Sequence, residues 1–102
     1  MVSLKHIFEF NQLKSLSNKV KHGIDFNDPQ ILWEDPFLVE LKSRPGTEER
    51  FIAIGLIQDL IWTAIYIIRK TNLRLISIRR GRKSERKFYY DINEKKNYKK
   101  KL

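Results

Sequence analysis

The residues best suited to chemistry stand at the exit of one strand-like run. Leu73–Gly81 reads Leu-Arg-Leu-Ile-Ser-Ile-Arg-Arg-Gly, with Arg74 near its start and Arg79 and Arg80 at its end. A guanidinium is a flat fork of donors that matches phosphate oxygens, so a rigid strand that presents two of them is a suitable phosphate anchor. Side chains alternate across a strand, which puts Leu75, Ser77 and Arg79 on one face and Arg74, Ile76, Ile78 and Arg80 on the other. Both faces are apolar in the middle, as suits a central strand covered on both sides. An ordinary buried strand with solvated charged ends accounts for the same residues.

The rest of the chain must position this strand. Its 102 residues suffice for one small domain, read as 1–94, with a basic tail at 95–102. The absence of cysteine excludes a disulfide framework, a zinc–thiolate site and a thiol nucleophile, and fits a reducing compartment. No long apolar stretch follows Met1, so no secretion signal is expected and the location read from the sequence is cytoplasmic. The most apolar window, 51–68, is broken by Gln58-Asp59 and reads as two strands, not as a membrane span. The net charge of +9 is concentrated: residues 1–60 hold 7 Lys and Arg against 9 Asp and Glu, residues 61–102 hold 14 against 3. Such a bias marks a surface for a polyanion or an acidic partner. A solvated tail explains Lys95–Lys101 well and the internal arginines Arg69, Arg74, Arg79 and Arg80 less well.

Along the chain, Ile7–Phe10 is a candidate first strand. Leu13, Leu16 and Val20 recur at helical spacing over 12–22, which predicts a helix with Asn11 as its cap and Gly23 as its stop. Lys21 and His22 then sit in its last turn, where cations face the negative helix end. Asp25 predicts a second short helix over 26–33, with Pro29 near its start. The alternation of 37–42 predicts an edge strand with Phe37, Val39 and Leu41 inward. Strands follow from Glu48 to Leu56, over 60–69 and over 73–80, joined by short polar turns. The expected architecture is α+β: a four-stranded antiparallel sheet with two N-terminal helices and one C-terminal helix. Ser84 is the expected cap of that last helix, and Phe88 and Ile92, with Tyr89 beside them, its apolar stripe.

The order of these pieces resembles the BrnT family of bacterial type II toxins, in the RelE/ParE-like superfamily. The matching residues are Phe8-Glu9-Phe10, Asn18, Lys21-His22-Gly23, Phe26, Asp35-Pro36, Glu48-Glu49-Arg50, Ile54-Gly55, Tyr66, Arg69, Arg74, Ile76-Ser77, Arg79-Arg80, Glu85-Arg86 and Tyr89. The resemblance spans roughly 8–90. It departs at Gly46-Thr47, where the family has an aromatic-Gly pair, at Ile67, commonly Thr, and at Gly81, often Ala. It implies an endoribonuclease that arrests translation. It also implies a BrnA-like antitoxin in a 2:2 assembly through an antitoxin dimer, with operator DNA bound only through the antitoxin.

RNA can be cut with side chains alone. The 2′-oxygen attacks phosphorus, a base takes its proton, an acid protonates the leaving 5′-oxygen, and cations hold the developing charge. With two histidines, no cysteine and dispersed carboxylates, no metal or other cofactor is expected. Arg79 and Arg80 are the candidates for charge stabilisation, with Arg50 and Arg69 in support. His22, Glu48 or Glu49, and Tyr89 are the candidates for proton transfer. Lys21, Arg69, Arg74, Arg82 and Arg86 are candidate RNA contacts. Each has a structural rival: a helix C-cap for His22, a surface ion-pair strip for Glu48–Arg50, a core aromatic for Tyr89. Two other functions stay open, a non-catalytic binding module acting as co-repressor and a gyrase inhibitor. No membrane partner is expected.

Overall fold

The computed structural model describes residues 7–43 and 49–101, with side chains through Glu94. Five strands form one mixed sheet: β1 (Ile7–Glu9), β2 (Val39–Lys42), β3 (Phe51–Ile57), β4 (Leu60–Arg69) and β5 (Asn72–Arg80), in the order β1-β5-β4-β3-β2. The four antiparallel strands expected from the sequence are β2 to β5. The correction is β1, which pairs in parallel with β5, Phe8 opposite Leu73. A parallel pairing needs a long crossover, which no local pattern displays.

α1 (Gln12–His22) is capped by the Asn11 side chain, which accepts from the Lys14 N–H, and ends at Gly23 with φ 80°. Its polar side, not its apolar stripe, faces the domain. Ser15 and Asn18 are buried, while Leu13, Leu16 and Val20 are 77 %, 55 % and 86 % exposed. The reason is hydrogen bonding. Ser15 Oγ accepts from Phe26 N at 2.9 Å, and Asn18 bonds both backbone groups of Ile78 and the carbonyl of Ile24.

The expected second helix is a 3-10 helix, η1 (Asp28–Glu34). The Asp25 carboxylate accepts from the N–H groups of Asn27 and Asp28, a turn that delays helix entry and frees Phe26 for the core. In β2 only Val39 is buried. Phe37 and Leu41 are exposed, and Glu40 faces the aromatic side of the sheet.

β4 begins and ends where the sequence predicts. β5 carries an irregularity: Ser77 pairs with Ile65 but Leu75 with Tyr66, so Ile76 is an extra residue. Such a bulge reverses the alternation. Leu73, Leu75 and Ile78 therefore share one core with Phe26, Leu32 and Tyr66 beneath α1 and η1. A second core of Val39, Ile54, Ile61 and Tyr89 lies beneath α2 (Lys83–Lys101). Ser84 falls inside the first turn of α2, and Glu85 reaches back to the Arg82 N–H instead. Tyr89 and Asn93 turn inward, leaving Phe88 exposed. The helical backbone continues past Glu94 to Lys101, through the segment read as a tail. Among the described residues no helix is long and apolar enough to cross a membrane.

Candidate nucleic-acid interface

The bulge sends Arg79 and Arg80 to faces opposite from those that simple alternation gives. Arg79 turns toward α2. Its Nη1 and Nη2 donate to the two carboxylate oxygens of Glu85 at 2.7 and 2.9 Å, and Nη1 also reaches the Arg80 carbonyl at 3.3 Å. Glu85 accepts two further bonds, from Thr63 Oγ1 at 3.0 Å and Arg82 N at 2.7 Å. The Arg79 fork holds the Glu85 carboxyl down at about 2, against the opposing effect of burial. The Glu85 hydrogen bonds in turn raise the Arg79 guanidinium above its ordinary value. The Arg79 charge is thus matched inside the protein, where it joins β5 to the start of α2.

Arg80 turns to the other face and remains exposed. Its guanidinium lies over the Trp62 ring, 5.6 Å from the centroid, a cation–π arrangement. Trp62, with Leu60, Gln58 and Ile57 of the β3–β4 hairpin, walls one side of a cavity of about 240 Å³. Gly23, Ile24, Asp28 and Ile31 wall the other. Gln58 and Asp59 both adopt left-handed backbone, φ 50° and 66°, at the tip of the hairpin. Lys21 and His22 are exposed and stand immediately before Gly23. Asn18 fixes this end of α1: its Nδ2 donates to the carbonyls of Ile24 and Ile78 at 2.8 Å each. Arg82 is exposed just beyond Arg80, and Arg86 Nη1 donates to the Gly81 carbonyl at 2.6 Å. At this end of the sheet Arg80 lies over Trp62, which walls the cavity, and the opposite wall begins at Gly23, directly after the exposed Lys21 and His22.

The other candidates lie at the opposite end. Arg80 pairs with Trp62 and Arg69 with Asn72. At about 3.3 Å per residue, the strand between Trp62 and Arg69 is roughly 23 Å long. Glu49 and Arg50 stand exposed before β3, with Lys42 Nζ 3.0 Å from Glu49 in a solvated ion pair. Arg74 pairs with Glu9 at 3.7 Å, and Asn72 also donates to Glu9. Glu48 lies outside the described residues.

Tyr89 is part of neither group. It is 2 % exposed, and its hydroxyl donates to Asp35 Oδ2 at 2.7 Å. The same oxygen accepts from Leu56 N at 3.0 Å, and Oδ1 accepts from Phe37 N at 2.9 Å. A Cβ on Gly55 would come within 2.9 Å of Leu38 Cδ1 and 3.2 Å of Asp35 Oδ2. Asp35, Gly55 and Tyr89, far apart in sequence, make one clamp between η1, β3 and α2. Burial, then the Asp35 contact, pushes the Tyr89 hydroxyl well above its ordinary range.

A further cluster escaped the sequence reading. Glu40 accepts from the Tyr66 hydroxyl and from Trp33 Nε1, and Tyr66 sits 5.3 Å from Trp33 and 5.5 Å from Phe51. Burial raises the Tyr66 hydroxyl strongly, and Glu40 adds to it. The alternation of β2 marked Glu40 only as a solvent residue, and no local signal joins it to Trp33 or Tyr66. Among the described residues no group of three or more histidines and carboxylates could hold a metal ion.

No curated protein matches the chain. The family model described as "Ribonuclease toxin, BrnT, of type II toxin-antitoxin system" matches residues 10–85. That span contains the Asn18 tie, the Asp35–Gly55 part of the clamp and the strand from Arg74 to Arg80, and it ends on Glu85, the partner of Arg79. The chain belongs to the BrnT family of ribonuclease toxins of type II toxin–antitoxin systems.

Proposed function

We propose that this toxin is an endoribonuclease that cuts RNA with side chains alone and so arrests translation, and that the Arg80 end of the sheet holds the scissile phosphate. The observation that carries this reading is the contrast between the two strand-exit arginines. Arg79 is bound twice by Glu85, whereas Arg80 is exposed over Trp62, a wall of the cavity that Gly23 also lines. Arg80 is assigned the charge that builds on phosphorus. His22 is assigned proton transfer, and Lys21 and Arg82 the flanking phosphates. Trp62 and the cavity beside it offer an aromatic face to a splayed base. Arg50, Arg69 and Arg74 would follow the RNA backbone further along the sheet. The proposed setting is the cytoplasm, with a BrnA-like antitoxin in a 2:2 assembly that alone carries operator DNA.

Expression in a bacterial host tests the placement. The parent is expected to stop growth and fragment cellular RNA, and Arg80→Ala to relieve both, while Arg50→Ala relieves them less. Relief by Arg50→Ala alone would move the centre to the far end of the sheet. The internal pairing of Arg79 and the burial of Tyr89 favour a second reading, a non-catalytic binder. That reading predicts neither growth arrest nor RNA fragments. DNA damage with RNA left whole would instead indicate a gyrase inhibitor.

A further inference from the structure

α1 presents an apolar stripe to solvent. Leu13, Leu16 and Val20, at i, i+3 and i+7, are more than half exposed, on the side away from the sheet. The helix is held to the domain by its polar side, through Ser15 and Asn18. That inverts the usual surface helix, whose apolar stripe faces the core. Its margins carry one sign of charge. At about 100° per residue, Lys14 and Lys21 run along one side of the stripe and Lys19 along the other. No Asp or Glu occurs in Gln12–His22.

We propose that Leu13, Leu16 and Val20 form the docking surface for the antitoxin, which covers them with an amphipathic helix bearing acidic residues along both margins. The proposal rests on the toxin–antitoxin reading, and charge complementarity selects the occupant. A second copy of this chain would set lysine against lysine, on a protein of net charge +9. A helix with acidic margins would bury the stripe and match Lys14, Lys19 and Lys21 together. Laid along the stripe to Val20, it ends beside Lys21 and His22, which directly precede the cavity-lining Gly23. Docking there also shields the surface assigned to RNA.

The test uses the purified full chain and its purified cognate antitoxin, with affinity read by calorimetry. Leu16→Glu with Val20→Glu is expected to weaken binding at least 100-fold. Lys14→Glu with Lys19→Glu is expected to weaken it about tenfold, more at low salt. Both should melt as the parent does. A Leu13→Gln, Leu16→Gln, Val20→Gln variant provides the same readout without added charge should the glutamates perturb folding. Affinity within threefold of the parent, for either stripe variant, overturns the proposal. So does absence of binding by the parent. Sedimentation of the parent as a dimer that the stripe variants dissolve would give the surface to a second copy. Parent binding to phosphatidylglycerol vesicles that the stripe variants lose would give it to a membrane. Either result overturns the proposal as well. RNA fragmentation by the free variants is scored separately, so failure of docking and failure of the ribonuclease reading stay distinct.

Discussion

Arg79→Ala is the substitution that the sequence alone would choose to abolish RNA cleavage. The structure predicts that it also destabilises the fold. Arg79 gives Glu85 two short charge-assisted hydrogen bonds, at 2.7 and 2.9 Å. Bonds of this type contribute about 1.5–3 kcal/mol each at full burial. The pair is about one-fifth exposed, 20 % for Arg79 and 17 % for Glu85, so screening reduces the sum to about 2 kcal/mol. Glu85→Ala costs more, about 3 kcal/mol, because it also strips the fully buried Thr63 hydroxyl and the Arg82 N–H of their acceptor. The double variant should cost little more than Glu85→Ala alone, which leaves a coupling of about 2 kcal/mol. At a urea slope of about 2 kcal/mol per molar, Arg79→Ala lowers the unfolding midpoint by about 1 M.

The pH dependence has a fixed sign. The Glu85 carboxyl is depressed from 4.5 to about 2 in the fold, so its contribution is complete above pH 4.5 and is lost as pH falls toward 2. The stability gap between the parent and Arg79→Ala should therefore narrow between pH 5 and pH 2. Urea titrations across that range, followed by circular dichroism, measure it. A variant that unfolds at the parent's midpoint, or a gap that persists undiminished at pH 2, would refute the argument that the pair locks β5 to α2.

Three further outcomes follow from the same geometry. Asn18→Ala should lower stability by about 3 kcal/mol, since it leaves backbone groups of Ile78 and Ile24 without partners; denaturant midpoints check this. Gly55→Ala should cost about 2 kcal/mol, because the new methyl group must displace Leu38 or Asp35; the melting temperature should fall by several degrees. Tyr89→Phe should lose about 1 kcal/mol with RNA cleavage retained, because its hydroxyl is bound to Asp35; loss of cleavage with unchanged stability would return Tyr89 to the catalytic candidates.

Much of the fold was legible where one local rule decides. The span of β4, the Asn11 cap and the Gly23 stop of α1 all follow from local patterns. The misses share a cause, which is that long-range bonds decided between equal local options. Leu13, Leu16 and Val20 form a true amphipathic stripe, but periodicity does not say whether such a stripe faces the domain or the solvent. Asn18 settled that through bonds to a strand 60 residues away. The bulge at Ile76 is silent in sequence, yet it decides which arginine meets Glu85 and which meets Trp62. The candidate list was chosen by residue type and was blind to place. Glu49, Arg50, Arg69 and Arg74 stand at one end of the sheet, His22 and Arg80 at the other. Tyr89 and Asp35 show that widely spaced motif residues can be linked by a structural clamp.

The most direct test of the central claim is to incubate the purified protein with total RNA in excess EDTA, beside Arg80→Ala, and again with translating ribosomes. The account predicts fragments from the parent in EDTA and a loss of at least 100-fold in cleavage for Arg80→Ala, with its melting temperature unchanged. Intact RNA from the parent under both conditions, or equal fragmentation by Arg80→Ala, would contradict it.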